Sequence, residues 1–527
     1  MGQILTSSQF SPNNLSAPGL YINNQPPPSF IPGAATNVAG IVGTASWGPL
    51  NSPILVGSPQ ESTTLLGGIG VAALTDVHDL CTDIAIAMIQ GPITVWALRV
   101  SNGTDTPATI ALKDTTSPTA LTGIVLSGKY TGIAGNGISV TIAQATSAGN
   151  FNVVVNGFPG TNPETYLNLP GTGFWTALNN ALVNGITGVR GPSALVNPSA
   201  VNLSAIAPAV GTFALAGGTD GRTGITTAEL LGSNAAYPGT GIYALSGLTP
   251  VVGTLWIAGL TDLTAVPTLQ AFMDANAIFA GIAFPTGTST TAAQTDVSVT
   301  GVHDYEISYL KDWIYWYDTV NGLVRFIPPY GFTLGLITAL APQNSPTNKP
   351  VQGVIGTERN NPYTGNQPYS LAELGVLEQS GILVITNPIP AGNQFGVYTG
   401  TNTALNLGQT PVEYARMTNF LDQSFNAVLG GYVGQNQTAA LKDPLRASVR
   451  HDLNTFLQGL QNGNQIDAFN VVCNFAQTGN PQAGINTPAT IAQHFLYAFA
   501  AVRYLSSVRY FIMSLQGGTT VVLSQAA

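Results

Sequence analysis

The sequence predicts an α+β protein of several domains, and three observations support this fold class. The chain has 527 residues, which is more than one hydrophobic core usually organises, so two to four modules are expected. A block of strand-like alternation is followed by a block in which strands alternate with helices, which indicates different modules. Only 7% of the residues are charged, whereas a quarter is usual, yet glycine and proline stay below the range of disordered proteins.

The low charge and its sign restrict the partners of this chain. The formal net charge is −9 and the pI is about 4.8, which argues against direct binding to a nucleic acid backbone. A neutral surface is weakly protected against self-association and therefore suits a protein that is largely covered by partners. The sequence has no export signal and no apolar run of about 18 residues, so neither export nor membrane insertion is expected.

Both ends of the chain lack charged residues. Residues 1–60 and residues 510–527 contain no Asp, Glu, Lys or Arg. The first stretch is rich in Pro, Asn and Ser, and the three prolines at 26–28 favour an extended backbone. We therefore predict an N-terminal extended arm at residues 1–35 and a C-terminal strand or arm at residues 510–527, both suited to joining copies of the chain.

Residues 36–103 have the pattern of the first part of a core module. Short apolar strands are predicted at 38–43 and 54–56. A helix is predicted because apolar residues recur at steps of three and four, and its end is marked by Gly91-Pro92. The helical residues are Leu74, Val77, Leu80, Ile84 and Met88. A strand at 94–100 follows.

Two different modules are predicted next. Residues 104–222 alternate Thr, Val, Ile and Gly between turn dipeptides, which is typical of an antiparallel β-rich insertion with one helix near 174–183. Residues 223–376 alternate apolar strands with helical stretches such as 263–275, which is the rhythm of an α/β layer.

The C-terminal core module is predicted at residues 377–509. Thr410, Pro411 and Glu413 have the spacing of a capping box at the start of a helix that Gly430 ends. A last helix is predicted from Thr487-Pro488 because apolar residues continue at helical spacing to residue 505, followed by strands at 509–515 and 519–523. The residues of its apolar face are Ile491, Phe495, Phe499, Val502 and Leu505.

Motifs that suggest catalysis or metal binding are weak. The glycines and Lys129 of segment 123–129 have P-loop spacing, but Tyr130 replaces the magnesium-binding hydroxyl and the segment has the pattern of a strand. Asp262, Ser289 and His303 do not follow the order of subtilisin-type triads. The four histidines lack metal-site spacing, and Cys81 and Cys473 lie far apart. We therefore predict no enzyme activity, no catalytic, cofactor-binding or metal residues, and no cofactor.

Two other sets of residues leave alternatives open. Trp313, Tyr315 and Tyr317 alternate along a predicted strand that could stack on sugars, although burial is favoured. Lys442, Arg446 and Arg450 occur at four-residue steps on a predicted helix. They could form a solvated face or a contact stripe.

Several segments together resemble the sheath proteins of contractile phage tails. The segments 17–22 (APGLYI) and 41–49 (IVGTASWGP) are similar to a pair of motifs at the start of that family. Further similarities occur in the same order over most of the chain, at residues 91–100, 135–137, 217–221, 328–331 and 509–523. The family's arginine-rich motif is reduced here to Tyr414-Ala415-Arg416.

The resemblance implies a fold and a function. It implies a β-sandwich-like insertion, an α/β region related to subtilisin without its catalytic residues, and an α/β C-terminal sheath module. The function it implies is that of a structural subunit that polymerises helically around an inner tube and contracts, driving the tube through a cell envelope for genome delivery. The implied partners are other copies of the chain, the inner tail tube protein, and baseplate and tail terminator proteins. The implied location is the virion tail, assembled in the cytoplasm of the bacterial host.

The resemblance also implies contact residues. Strands from the arms would add to the sheets of neighbouring subunits, and the inner layer would face the tube through Lys442, Arg446 and Arg450. Residues 1–376 hold 18 acidic and 9 basic residues, and residues 377–527 hold 6 of each, so a neutral inner wall and an acidic exterior are expected. The inter-subunit strand residues would be Gly19, Leu20, Tyr21, Ile22, Thr520, Val521, Val522 and Leu523.

Two other functions remain open at this point. A self-assembling S-layer-like or adhesive surface protein would have a similar composition, but the sequence lacks an export signal. An enzyme that uses the α/β region is a more distant alternative.

Overall fold

The structure is a computed structural model that describes residues 3–6, 21–24, 31–201, 204–476, 484–513 and 515. Helices and strands are mixed throughout these ranges, which confirms the α+β class. The helices are α1 (Pro59–Leu66), α2 (Leu80–Ile89), α3 (Phe174–Asn184), α4 (Thr227–Leu231), α5 (Val266–Asn276), α6 (Thr290–Thr300), α7 (Tyr330–Ala339), α8 (Leu371–Gln379), α9 (Val412–Leu429), α10 (Pro444–Asn462) and α11 (Pro488–Ala492).

The strands are mostly short and fall into several sheets. They are β1 (Gln3–Thr6), β2 (Tyr21–Asn24), β3 (Val38–Gly43), β4 (Ile54–Val56), β5 (Thr94–Arg99), β6 (Thr109–Lys113), β7 (Thr122–Gly128), β8 (Ser139–Gln144), β9 (Asn150–Asn156), β10 (Glu164–Pro170), β11 (Val196–Val201), β12 (Gly211–Ala214), β13 (Thr254–Ile257), β14 (Phe279–Ala283), β15 (Ile307–Lys311), β16 (Ile314–Asp318), β17 (Leu323–Ile327), β18 (Lys349–Pro350), β19 (Val354–Thr357), β20 (Asn360–Asn361), β21 (Gly365–Asn366), β22 (Ile382–Thr386), β23 (Gly396–Val397), β24 (Ile466–Val472) and β25 (Phe499–Tyr504).

The chain divides into two compact units. The smaller unit consists of Met1–Gly33 and Ser424–Leu505, and the larger unit consists of Ala34–Gln423 and Ser506–Ala527. The larger unit therefore receives the last described residues of the chain.

The larger unit is built on a nine-stranded sheet with the order β18-β23-β22-β15-β14-β13-β3-β5-β4. The pairs from β22 to β5 are parallel, and the outer pairs at both edges are antiparallel. Alternate side chains of a strand point to opposite faces, so such a sheet needs cover on both. In β13, Leu255 joins a hydrophobic cluster with α5, whereas Trp256 joins another with α2 and α7. The sheet combines strands of the predicted segments 36–103, 223–376 and 377–509, and the predicted domain boundaries themselves stay a prediction.

One helix of this unit is shorter than predicted. The side chain of Asp79 accepts hydrogen bonds from both the backbone N–H and the hydroxyl of Thr82, so α2 begins at Leu80. Val71–Thr75 forms a separate 3-10 turn. The prediction of one helix that includes residues 74 and 77 is therefore wrong, because the N-cap at Asp79 interrupts it.

The β-rich part of the larger unit contains two sheets that share one core. The sheets have the orders β10-β9-β8-β12 and β11-β7-β6, and residues of both join α3 in one hydrophobic cluster. Gly123 in β7 lies directly under Trp175 of α3, because a Cβ atom there would come within 2.1 Å of the indole ring. The P-loop-like segment is therefore a strand, as its pattern indicates, and its first glycine serves packing.

The described core of the smaller unit is an antiparallel pair, β24 and β25, with α10 packed against β24. Two predictions are wrong here. The predicted helix from Thr487 ends at Ala492, and Phe499–Tyr504 is a strand. Residues 509–513 and 515, predicted as part of a strand, have no regular secondary structure, and residues 519–523 lie outside the described residues.

Candidate assembly surfaces

A run of exposed apolar side chains follows the last described strand. We call residues 508–513 and 515 the apolar tail segment. Phe511 and Ile512 are 86% and 88% exposed, close to full exposure. Large apolar side chains are rarely exposed in a contiguous group on a monomer, and such patches mark interaction sites. Its other exposed apolar residues are Val508, Tyr510, Met513 and Leu515.

The start of the apolar tail segment is held on the larger unit by polar contacts. The Arg509 guanidinium pairs with the Glu378 carboxylate and donates to the carbonyl of Gly400 at 3.0 Å. The Ser507 hydroxyl donates to Oε1 of Glu413 at 2.6 Å. Burial raises the pKa of Glu378, and the positive charge of Arg509 opposes this shift. We call these contacts the tail anchor, since they fix the position from which residues 510–513 and 515 follow.

The β24-β25 sheet has two open edges within the described part of the chain. Each strand pairs with the other and with no further described strand, so one backbone edge of each is free of strand partners. Aromatic side chains before and at the start of β25 are about half exposed, namely Phe495, Tyr497 and Phe499. An edge of this kind, with apolar side chains beside it, is a template for an additional strand.

The predicted strand-contact residues fall only in part within the described ranges. Tyr21 and Ile22 lie in β2, which pairs in parallel with β1 of the same chain. Gly19 and Leu20, and Thr520, Val521, Val522 and Leu523, lie outside the described residues. Their contacts with other subunits stay a prediction.

The three basic residues at four-residue spacing do not form one exposed stripe. Lys442 precedes α10, whose N-cap is Asp443. Arg446 is only 2% exposed: its guanidinium lies 3.5 Å from the Asp443 carboxylate and 5.4 Å from the centre of the Phe475 ring. Arg450 is partly buried and donates to the side chain of Asn474. Arg446 therefore serves the interior of the smaller unit, and contact with a tube stays a prediction.

The remaining arginine of the reduced family motif also has an internal role. Arg416 in α9 is buried and donates to the carbonyls of Leu340 at 2.8 Å and Thr36 at 3.1 Å. Burial lowers its pKa to about 9. The Thr410–Glu413 capping box predicted for the start of the same helix is replaced by other contacts, because Thr410 donates to the carbonyl of Leu407 and Glu413 accepts from Ser507.

Residues with a catalytic appearance have structural partners. The Ser289 hydroxyl accepts from the backbone N–H of Ala292 as the N-cap of α6. The carboxylate of Asp262 accepts from the hydroxyls of Thr227 and Thr264 at 2.7 Å. Both side chains therefore cap the start of a helical segment.

The aromatic strand is β16, and its buried face differs from the prediction. Ile314 and Trp316 are buried, whereas Tyr317 is about half exposed and Trp313 and Tyr315 are partly buried. The prediction that Trp313, Tyr315 and Tyr317 are buried is wrong for Tyr317. Alternate residues of a strand point to opposite faces, and the buried face here is that of Ile314 and Trp316. Tyr315 stacks on Phe326 at 4.5 Å between ring centres.

Sequence reasoning missed a cluster of acidic residues in the larger unit. One carboxylate oxygen each from Asp274, Asp304 and Glu306 lies within 4.8 Å of the others. Burial, and then the charges of Asp304 and Asp274, raise the pKa of Glu306 to about 8. Tyr305 and Asn419 lie close enough to lower this pKa, but neither makes a hydrogen bond of normal geometry to Glu306. No spacing rule connects residue 274 with residues 304 and 306.

The fold of this chain is that of tail sheath proteins. No protein-family model and no curated protein sequence matches it. A sheath tail protein from Desulfitobacterium hafniense matches with a TM-score of 0.55 and 15% identity, over 86% of this chain and 93% of that one. The sheath tail protein from Listeria innocua matches with a TM-score of 0.56 and 12% identity, over 89% and 95% of the chains.

A similar match comes from a contractile injection machine. The contracted PVC sheath complex of an extracellular contractile injection system has a TM-score of 0.51 and 11% identity, over 96% of this chain and 98% of that one. These matches confirm the resemblance at the level of the fold. None of the helices in the described ranges is long and apolar enough to cross a lipid bilayer.

Proposed function

We propose that this chain is a structural subunit of a contractile sheath, which polymerises helically around an inner tube. The apolar tail segment carries this proposal, because it combines a nearly fully exposed run of large apolar residues with a fixed attachment point. Covering those residues with another copy of the chain removes their apolar surface from water, which stabilises the assembly by roughly 25 cal/mol for each Å² buried. The sheath fold of its structural neighbours supplies the type of assembly.

The open edges of the β24-β25 sheet are the proposed acceptor in the neighbouring subunit. An added strand satisfies backbone N–H and C=O groups along an edge, and apolar side chains beside the edge give further contact. The proposed donors are the strand-contact residues of the two arms, at 19–22 and 520–523. Both arms are uncharged, so docking buries no unpaired charge, which would cost several kcal/mol.

Linkage through arms also suits contraction. A strand that is paired in another subunit keeps its hydrogen bonds while the bodies of the subunits rotate. Because the contact joins different surfaces of two copies, it propagates as a helical filament. We propose that contraction is a switch between two packings of this lattice and that it drives the tube through a cell envelope for genome delivery. The particle would be a virion tail assembled in the cytoplasm of the bacterial host.

The proposed partners are other copies of this chain, an inner tube protein, and baseplate and terminator proteins at the ends of the sheath. For tube contact we propose Lys442 and Arg450, since both retain exposed surface. Arg446 is proposed to support them from inside the smaller unit. The role is structural, without turnover of a substrate, which agrees with the use of Ser289 and Asp262 as helix caps.

Electron microscopy of the purified full-length protein tests the proposal. We expect hollow cylinders, and flat lattices would instead favour an S-layer-like protein. The double variant Phe511→Asp with Ile512→Asp should abolish cylinders, because docking would bury two unpaired carboxylates. Circular dichroism and size-exclusion chromatography should show a folded monomer.

A matched control keeps this test specific. Leu407 is 86% exposed, like Phe511, but lies outside the apolar tail segment. The variant Leu407→Asp should assemble like the wild type. Normal cylinders from the double variant would contradict the proposed role of the apolar tail segment.

A further inference from the structure

We propose that Asp274, Asp304 and Glu306 form a calcium-binding site in the larger unit. Three elements supply the site: α5 carries Asp274, the loop before β15 carries Asp304 and Glu306, and α9 contributes Asn419 beside them. The proposal is independent of the sheath function.

The spacing of the oxygens fits calcium. One carboxylate oxygen from each of the three residues lies within 4.8 Å of the other two. Calcium binds oxygen ligands at about 2.3–2.6 Å, so two ligands on opposite sides of the ion are about 4.6–5.2 Å apart. The three oxygens can therefore bind one calcium ion together. Magnesium needs a tighter and more regular octahedron, at about 2.0–2.1 Å.

Two buried side chains without hydrogen-bond partners provide an independent observation at this place. Glu306 is 1% exposed, and neither of its carboxylate oxygens has a hydrogen-bond partner. Asn419 is 2% exposed, and neither Oδ1 nor Nδ2 has a partner. Buried polar groups are almost always satisfied, and a buried carboxylate without a partner is costly. A hard cation would satisfy the Glu306 carboxylate directly and could accept the Asn419 amide oxygen as a further ligand.

The charges of the cluster are not balanced by the protein. None of the ion pairs found among the described residues includes Asp274, Asp304 or Glu306. When ionised, carboxylates at this distance repel each other in a partly buried position, and burial together with this repulsion raises the pKa of Glu306. A divalent cation removes this repulsion, and the exposed Asp274 leaves one side open for water and for entry of the ion.

Neighbouring groups hold Asp304 in position for such a role. Its carboxylate accepts from Nε2 of Gln270 at 2.9 Å and from the backbone N–H of Glu306 at 2.8 Å. Its own backbone N–H donates to the hydroxyl of Thr403 at 2.9 Å. Hydrogen bonds of this kind orient the ligands of metal sites. A bound ion would tie the end of α5 to the start of β15, so it should stabilise the larger unit.

Terbium luminescence on the full-length chain tests the site. Terbium replaces calcium at oxygen-rich sites, and Tyr305 lies next to Glu306, so excitation of tyrosine should sensitise a bound terbium ion. We expect saturable luminescence that calcium reverses, and calcium should raise the melting temperature relative to a sample with chelator. Glu306→Gln and the surface variant Asp274→Asn should each weaken the affinity about 10-fold or more, since even supporting residues contribute about 10–100-fold.

The control is Asp296→Asn, which removes an acidic residue of α6 outside the cluster and should bind terbium like the wild type. Asp274 is exposed, so its variant should fold even if the Glu306 variant does not. Absence of saturable terbium binding to the wild type would overturn the proposal. Wild-type affinity for terbium in both Glu306→Gln and Asp274→Asn would also overturn it. Binding of magnesium as tight as that of calcium would overturn the assignment of the ion.

Discussion

The nine-stranded sheet of the larger unit and the two-stranded β24-β25 sheet of the smaller unit differ in how far their own chain covers them. The inner strands of the large sheet are buried on both faces by helices of the same chain. In β25 every second residue is exposed and the others are only partly buried. The inner strands of the large sheet are therefore covered on both faces within one chain. In the small sheet, neither strand has a second strand partner among the described residues, and aromatic side chains beside β25 are exposed.

This difference suggests that the large sheet serves folding and the small sheet serves assembly. An isolated two-stranded sheet is at best marginally stable in water, and additional strands or a packed helix are needed. In the smaller unit α10, in which Leu453, Phe456 and Leu457 are buried, packs against β24 and supplies one such partner. The outer edges of β24 and β25, which have no strand partner among the described residues, are the edges to which we propose that strands of other subunits add. Substitutions in the large sheet should consequently affect folding, and substitutions in the small sheet should affect assembly.

The largest effect is expected for Trp256→Ala in the centre of the large sheet. Trp256 of β13 is buried in a cluster with α2 and α7, and its Nε1–H donates to the Asp83 carboxylate at 3.0 Å. Removal of a buried aromatic side chain typically lowers the free energy of unfolding by about 3–5 kcal/mol. Urea unfolding followed by circular dichroism measures the loss.

The matched control for this substitution is Tyr237→Ala, since Tyr237 is fully exposed. A surface substitution of this kind should change the free energy of unfolding by no more than about 0.5 kcal/mol. Equal changes in the free energy of unfolding for the two variants would contradict the view that Trp256 lies in a core covered by its own chain.

The pH dependence of stability provides a second, smaller effect in the same core. Burial raises the pKa of Asp83 to about 7, from 3.8. The folded state then holds a proton that the unfolded state releases, so the contribution of Asp83 to stability is fully present below about pH 4 and is lost as the pH rises through about 7. The variant Asp83→Asn should remove much of this decline, which is on the order of 2–4 kcal/mol.

Unfolding midpoints in urea at pH 5 and pH 8 measure this decline. Asp467→Asn is the control, because Asp467 is about half exposed and pairs with Arg503 at the surface. A wild type that is as stable at pH 8 as at pH 5 would show that Asp83 is charged in the folded protein and would contradict the prediction.

The sequence predicts the elements of the large sheet better than those of the small sheet. The strands Val38–Gly43 and Thr94–Arg99 of the large sheet lie where the sequence pattern places them, because each is a short apolar run bounded by turn residues. In the small sheet, the hydrophobic pattern predicts a helix where the structure has the strand Phe499–Tyr504. Residues 491, 495 and 499 are spaced by four, which fits one face of a helix and equally one face of a strand.

Local backbone geometry decides between these two possibilities. His494 has a φ of 64°, a left-handed conformation that ends a helix. The aromatic residues Phe495, Tyr497 and Phe499 then follow at steps of two, as in an extended chain. The position of a left-handed non-glycine residue is not visible in the hydrophobic pattern.

The candidate sites were predictable to different degrees. The neutral ends follow directly from composition, and the exposure of Phe511 and Ile512 agrees with an end that needs a partner. The burial of Arg446 could not be foreseen, because it depends on Asp443 and on Phe475, which lies in a distant segment. The acidic cluster depends in the same way on the packing of α5 beside the loop before β15.

The smallest effect on the isolated chain is expected for Phe499→Ala in β25. Phe499 is 54% exposed, so its removal should lower the free energy of unfolding by less than about 1 kcal/mol. Assembly should respond more strongly, because an added strand would cover this side chain. Leu167→Ala is the matched control, because Leu167 is 56% exposed on β10 of a different sheet. Fewer cylinders with Phe499→Ala than with Leu167→Ala, at equal monomer stability, would support assembly through the β24-β25 sheet, and equal yields would place the contact elsewhere.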